Sequence, residues 1–423
     1  MEQPGRVVVI GAGLGGLRTV ESLRRRGYSG RIALLGAERH LPYDRPPLSK
    51  HVLRGERDVS WLRSADDVTA LDVSLHLDTP ATGLSVDRRT VNTASGSHAF
   101  DVAVIATGAL PRRLVGMDAQ VLRTLDDAYA LRAALHAGSR LAVVGAGLIG
   151  CEVAASARAM GVEVTLLDVL PAPATRVLGS RVGRILGALH ARHGVQLRLG
   201  VGLAGSEPGR VLLDDGSIVE ADAVLQSIGV TPDIAWLRGS ELNLNDGVMC
   251  DAGGRAAPGV FAVGDVANWA GHRHEHWTSV GTQADHVAAQ ILGQDSAATD
   301  VAYWWSDQYD LKLQGLGRPA PDDDVEVRAW GPRARTVAVY SRNGRLTGLV
   351  GFSASSAIMR LRSDVAAGTD VQKILERFTE PMPHDSSAPS ADTPDLIATP
   401  VATQSRPFNS RNRATPDFRA KSS

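Results

Sequence analysis

Two glycine-rich segments carry the strongest chemical signal in this chain: Gly11-Ala-Gly13-Leu14-Gly15-Gly16 and, 134 residues later, Gly145-Ala-Gly147-Leu148-Ile149-Gly150. Glycines at this spacing allow a tight turn, a close approach of backbone to a pyrophosphate, and packing of the following helix on the preceding strand. Such a site also needs a carboxylate about 20 residues on, to accept a hydrogen bond from a ribose hydroxyl. Glu38 stands in that place after the first segment, and Asp168 lies 21 residues after Gly147. A carboxylate there repels a 2′-phosphate, and no arginine follows Asp168 before Arg176, which favours NADH over NADPH at the second site. The chemistry on offer is the binding of two dinucleotides.

The elements that must hold these residues are legible around them. Val7 to Ile10 predicts a strand entering the first turn, a helical pattern runs on through Leu17, Val20 and Leu23, and Ile32 to Leu35 predicts the next strand. The second segment repeats the plan, with Leu141 to Val144 before the turn, a small-residue helix from Cys151 to Met160, and Val162 to Leu167 after it. Val102 to Ile105 running into Ala106-Thr107-Gly108, Ala223 to Leu225 ending near Gly229, and Val260 to Val263 meeting Gly264-Asp265 read as returning strands. From about Val301 the pattern changes. Two apolar runs, Val337 to Tyr340 and Leu346 to Val350, flank Asn343-Gly344 and predict a hairpin, followed by a helix from Ser355 to Val365. The expected fold class is α/β: two Rossmann-like nucleotide-binding units and a C-terminal α+β unit. Residues 381–423 hold seven Pro, seven Ser and four Thr without periodicity and are expected to form a disordered tail.

Composition narrows the function classes. With 423 residues, 43% apolar and 22% charged, the chain can bury a large core, and its formal charge of −1 excludes a global basic field for nucleic-acid binding. No run of about 18 apolar residues predicts a membrane span. Cys151 and Cys250 lie 99 positions apart with no Cys-x-x-Cys pair, so neither a disulfide framework nor a cysteine-built metal site is expected, and a reducing cytoplasm fits. His272, His274 and His276 would share one face of a strand, but no metal is expected there. Of 45 basic residues only Lys50, Lys312, Lys373 and Lys421 are lysines, which makes Lys50, within Pro42-Tyr-Asp-Arg45-Pro-Pro-Leu-Ser-Lys50, conspicuous.

The first glycine segment with Pro42 to Lys50, the second ending in Glu152, the segment Val260 to Ala267, and Trp304-Trp305-Ser-Asp-Gln-Tyr-Asp-Leu-Lys-Leu-Gln314 together resemble the NADH-dependent ferredoxin reductases of bacterial oxygenase systems, relatives of putidaredoxin reductase. That resemblance implies an FAD-binding unit from 1–110 and 245–300, an inserted NADH-binding unit over 111–244, and an interface unit over 301–380. It implies hydride transfer from NADH to FAD and single-electron transfer to a small iron-sulfur ferredoxin serving a haem or non-haem oxygenase. A monomer or weak dimer is expected. By the same resemblance Gly11, Gly13 and Gly15 face the FAD pyrophosphate, with Leu14, Gly16, Glu38, Arg45, Ala81, Ala106, Thr107, Gly108 and Arg123 around the cofactor. Lys50 sits beside the isoalloxazine, Gly264 admits Asp265 to a ribityl hydroxyl, and Trp277 lies near the pyrimidine end. Gly145, Gly147, Leu148, Ile149, Gly150, Asp168 and Gly229 hold NADH.

Glu152 has two readings, as an acid favouring the helix dipole or, from the resemblance, as the partner of Lys50 that steers the nicotinamide. Lys50 could also be a solvated surface lysine and Trp277 a core aromatic. Several relatives carry an acid where Ala37 stands here, leaving Glu38 to substitute, and Asp285 stands where putidaredoxin reductase has a docking arginine. No cysteine precedes Gly150, so the thiol chemistry of glutathione reductase and coenzyme A-disulfide reductase relatives is not expected. Trp304, Trp305, Arg360 and Arg362 are candidates for a partner surface, or else core aromatics and arginines on a solvated helix. Rubredoxin, oxygen or a quinone as acceptor, or a redox-sensing role in the manner of apoptosis-inducing factor, are the rival readings.

Overall fold

The structure is a computed structural model that describes residues 3–273, 275–296, 301–330 and 335–378. The expected disordered tail lies outside the described residues.

Runs such as Val7-Val8-Val9, which have no exposed surface, can be buried on both faces only inside a parallel sheet covered on each side. They build two sheets of the same plan. In the first, strands Arg6–Ile10, Arg31–Leu35, Ser74–His76 and Val102–Ile105 pair parallel, with Arg6–Ile10 between Arg31–Leu35 and Val102–Ile105. In the second, Arg140–Val144 lies between Glu163–Asp168 and Ala223–Gln226, with Gln196–Leu199 at the edge. The first sheet is completed only after the second has been made, when Val260–Ala262 pairs parallel with Val102–Ile105. The expected strand to Val263 thus stops one residue earlier.

The last sheet is antiparallel, in the order Tyr303–Gln308, Leu311–Gly317, Arg345–Phe352, Arg335–Arg342, Asp324–Trp330. The hairpin expected at Asn343-Gly344 joins Arg335–Arg342 to Arg345–Phe352. The helix expected from Ser355 to Val365 is broken instead into Ser355–Arg360 and Arg362–Ala367. Leu361 (φ −99°, ψ 12°) leaves helical geometry between them and is buried in the apolar cluster under the sheet, so packing overrides the local helical pattern.

The other face of this sheet shares its core with the second parallel unit. Trp304, Leu311, Leu313 and Tyr340 pack in one cluster with Leu141, Val143 and Cys151 of the second parallel unit. Tyr43, Leu48 and Val52 pack likewise against Leu125 and Ala128, which seats the Pro42–Lys50 segment on helix Leu125–Ala134. Among the described residues no helix is long and apolar enough to cross a membrane.

Candidate active site

The two glycine turns are sterically equivalent. Gly11 (φ +110°) and Gly145 (φ +103°) take a backbone conformation that a side chain would strain, and a Cβ on either would lie 2.3 Å from a carbonyl oxygen, of Ala106 and Ser227 respectively. A Cβ on Gly16 or Gly150 would sit 1.9 Å or 2.1 Å from the carbonyl oxygen of Gly11 or Gly145. These four glycines wedge strand, turn and helix together. Gly13 and Gly147 differ: nothing lies within 4 Å of a Cβ built on them, although each caps a helix, Leu14–Arg25 or Leu148–Ala159, that has no side-chain cap. An open cradle beneath uncapped helical N–H groups fits a pyrophosphate in both units. Gly15 would meet only ordinary contacts, and its counterpart Ile149 is 46% exposed, so Gly16 rather than Gly15 is the glycine that packing requires. Gly229 is likewise open, and a Cβ on Gly264 would meet only Val280, at 4.0 Å.

Both candidate ribose carboxylates are engaged within the protein itself. Glu38 accepts from the Tyr43 hydroxyl at 2.6 Å and from Arg45 at 2.7 Å, and Arg45 in turn donates to the Arg123 carbonyl. Arg123 pairs with Asp265 at 2.8 Å. Arg45 and Arg123 therefore tie the Pro42–Lys50 segment to the Gly264-Asp265 turn. Burial raises the Tyr43 phenol above its ordinary range, which keeps it a donor to Glu38. Asp168 accepts from the Ala146 amide at 2.7 Å and the Leu170 amide at 2.9 Å, so it clamps its own glycine turn. Thr107 donates to the Asp233 carbonyl at 3.0 Å beside Gly108, Ala106 is buried, and Ala81 opens strand Ala81–Ser85.

At the seam of all three units lie Lys50 and Glu152, 102 residues apart in sequence and 2.6 Å apart in space. Pro46–Ser49 forms a single 3₁₀ turn that delivers Lys50, and Glu152 projects from the second turn of helix Leu148–Ala159. Their side chains are only 8% and 3% exposed. Lys50 also donates to the Pro46 carbonyl at 3.1 Å, which leaves one of its three N–H groups for a bound ligand. Glu152 receives two further hydrogen bonds, from Ser49 Oγ at 2.5 Å and Ser306 Oγ at 2.7 Å. The geometry excludes both a solvated Lys50 and a Glu152 that merely favours the helix dipole. Ser49 and Ser306 are absent from the sequence reading. One signal existed: in strand Tyr303–Gln308 two of the three positions on the buried face are filled by Ser306 and Gln308, and only Trp304 is apolar.

Beside this seam is an aromatic edge. Trp277, 37% exposed, donates Nε1–H to Asp44 at 2.7 Å and meets Trp305 edge-on with centroids 5.8 Å apart. Trp305 stacks on Tyr303, and Lys312 Nζ lies 5.8 Å from the Trp305 ring centroid. Burial holds the Asp44 carboxyl above its ordinary value. Trp277 is thus no core aromatic, whereas Trp304 is. Strand alternation points it inward, 6% exposed and against Gly315, where a Cβ would be 2.1 Å from its ring. Trp304 is therefore removed from the partner-surface candidates. Arg360 is exposed, and half-buried Arg362 donates to the Val301 carbonyl. Asp285 pairs with Arg25 and Arg26 at 2.7 Å and 2.5 Å, joining two helices of the first unit, and Arg26 holds its carboxyl below the ordinary range.

The histidine triplet does not form one strand face. His272 opens the two-residue strand His272–Arg273, His276 precedes helix Trp277–Leu292, and His274 lies outside the described residues. Among the described residues no three metal-ligating side chains cluster. Cys151 and Cys250 are both buried and free, and burial pushes their thiols up, that of Cys250 to about 12. Neither has the environment of a reactive thiolate.

The sequence profile of the family described as pyridine nucleotide-disulphide oxidoreductase matches residues 5–288, and that described as reductase C-terminal matches residues 303–376. The chain is 38% identical over 332 residues to the ferredoxin–NAD(+) reductase component of the p-cumate 2,3-dioxygenase system of Pseudomonas putida, covering 75% of this chain and 83% of that one. It is 35% identical over 397 residues to the corresponding component of the anthranilate 1,2-dioxygenase system of Burkholderia cepacia, covering 87% and 96%. In three dimensions it superposes on the covalent putidaredoxin reductase–putidaredoxin complex with a TM-score of 0.83 at 29% identity, covering 87% of this chain and 94% of that one.

Proposed function

The chain belongs to the pyridine nucleotide-disulphide oxidoreductase family, as an oxidoreductase using FAD and NAD(H), and on that premise we propose that it supplies electrons from NADH to the iron-sulfur ferredoxin of an oxygenase system. Bound FAD supplies the conversion between a hydride, which carries two electrons, and the single electrons an iron-sulfur acceptor takes. The observation that carries the reading is the buried Lys50–Glu152 pair, which ties the Pro42–Lys50 segment to the helix that opens at the second glycine turn. Strand Val260–Ala262 returning to the first sheet supports a split FAD unit at 1–110 and 245–300 around an NADH unit at 111–244.

In this reading the residues divide the work. Gly11 and Gly16 shape the FAD cradle with Gly13 open toward the ligand, and Gly145, Gly147 and Gly150 do the same for NADH. Arg45, Arg123 and Asp265 order the loops along the FAD site. The positive charge of Lys50 favours the reduced, more negative flavin, while Glu152 holds Lys50 in place. Asp168 faces the NADH ribose and disfavours a 2′-phosphate. Since neither cysteine is a thiolate, replacing both Cys151 and Cys250 by Ala is expected to leave the rate of flavin reduction by NADH within about twofold, at a stability cost of about 1 to 2 kcal/mol from lost core packing. Stopped-flow absorbance and thermal melts check this; a blocked electron transfer in a folded, yellow variant would reveal a thiol step.

The partner surface is the edge bearing Trp277, Trp305, Tyr303 and Lys312, with Arg360 exposed on the same C-terminal unit. Small ferredoxins are commonly acidic, and steering by a few cations fades as salt shortens the Debye length to about 8 Å at 0.15 M. The test is a steady-state comparison of a ferredoxin with ferricyanide. Arg360→Glu should raise KM for ferredoxin about three- to tenfold, and less so at high salt, with ferricyanide reduction unchanged. Equal losses with both acceptors, or a ferredoxin rate indifferent to salt, would rule out this surface.

A further inference from the structure

Glu152 stands at the end of a hydrogen-bonded chain running 154 residues forward in sequence and then back into the second unit. Ser306 Oγ lies 2.7 Å from Glu152 Oε1, Gln308 Nε2 lies 3.1 Å from Ser306 Oγ, Gln308 Oε1 lies 3.0 Å from His190 Nε2, and His190 Nδ1 lies 2.9 Å from the Tyr309 hydroxyl. Ser306, Gln308 and His190 have no exposed surface.

Donor and acceptor chemistry leaves this chain one direction. A carboxylate paired with Lys50 only accepts, so the Ser306 hydroxyl donates to it. The Gln308 amide nitrogen only donates, so Ser306 accepts there. The Gln308 carbonyl only accepts, so His190 carries its proton on Nε2. Burial lowers the His190 pKa to about 4, the ring is neutral, and its Nδ1 lone pair must accept from Tyr309. Every dipole therefore turns its positive end toward Glu152, an arrangement in which each bond polarises the next. Tyr309 is itself held at a cost: it adopts φ +57°, a left-handed conformation unusual for a tyrosine, and its ring stacks on His193 with centroids 3.6 Å apart.

We propose that Ser306, Gln308 and His190 are positioning residues for the Lys50–Glu152 pair, holding the Glu152 carboxylate from the side away from Lys50 and offsetting part of its negative charge. This rests on the reading of that pair as the one beside the flavin. The antiparallel sheet is then part of the electrostatics of the flavin site as well as a docking platform. Remove the chain, and the carboxylate's charge is less offset, the field of Lys50 is weakened, and the reduced flavin loses stabilisation.

The test is the midpoint potential of FAD bound to the full chain, together with the rate of flavin bleaching by NADH. Ser306→Ala should shift the two-electron equilibrium about tenfold toward oxidised flavin, a fall of about 30 mV, since it removes a hydrogen bond to a charged group. Gln308→Leu, one bond further off, should shift it about threefold, and His190→Phe less again. Ser306→Thr, which keeps the hydroxyl, should restore the unmodified potential. This decline with distance, with rescue by Thr, is what a merely structural role would not produce. If Ser306→Ala fails to retain FAD, the Gln308 and His190 variants carry the test. Unmoved potentials in these variants, while Lys50→Met moves it, would overturn the inference alone. A potential unmoved even by Lys50→Met would overturn the reading of the pair.

Discussion

Lys50→Met is expected to slow flavin reduction by NADH about a hundredfold, the scale on which loss of one preorganised charged donor acts at a developing negative charge. The two groups are 2.6 Å apart and nearly solvent-free, so removing the cation also leaves the Glu152 carboxylate without its counter-charge. Breaking such a buried pair from one side costs about 3 to 5 kcal/mol of stability. Rate and stability separate in the double variant Lys50→Met with Glu152→Leu. Apolar side chains should recover most of the lost stability, because no charge is then stranded, while the rate stays low. Stopped-flow absorbance with NADH and chemical denaturation measure the two quantities. Recovery of both in the double variant would mean that the pair serves folding and not the flavin.

The second large effect separates glycines that face a ligand from glycines that face the protein. Gly147→Val should fold, keep its FAD and remain yellow, since nothing lies within 4 Å of the new Cβ, yet bind NADH at least about a hundredfold more weakly because the side chain fills the approach to the pyrophosphate. Gly13→Val should do the converse, yielding folded protein with little FAD. Gly150→Val has no such selectivity. Its Cβ would sit 2.1 Å from a backbone oxygen that cannot yield without moving the strand, so the expected product is misfolded. Flavin content by absorbance and NAD+ titration of the flavin spectrum distinguish these cases. Unchanged NAD+ affinity in Gly147→Val would remove the second cradle from the NADH site.

Much of the scaffold was legible because its signals are local. Strands Arg6–Ile10 and Arg140–Val144, the helices behind them and the Asn343-Gly344 hairpin follow from runs of apolar residues and turn chemistry within a few positions. The misses share a cause. The helix broken at Leu361 and the inward Trp304 were decided by what each side chain packs against, and the Asp168 clamp on Ala146 by a turn geometry that a ribose-acceptor motif does not encode.

The sequence by itself determined two glycine turns, each between a strand and a helix, and the absence of a usable thiol pair, because glycine spacing, strand periodicity and cysteine placement are properties of contiguous segments. Only the tertiary structure decided that Lys50, Ser49, Glu152 and Ser306 meet at one carboxylate, that Arg123 pairs with Asp265, and that Gln308 and His190 stand behind them. Directly bonded pairs among these groups lie up to 154 residues apart in sequence, and no local pattern specifies which of them converge. What selects the arrangement is burial: a charge taken out of water must find its partners, and the fold that closes over Glu152 is the one that brings them.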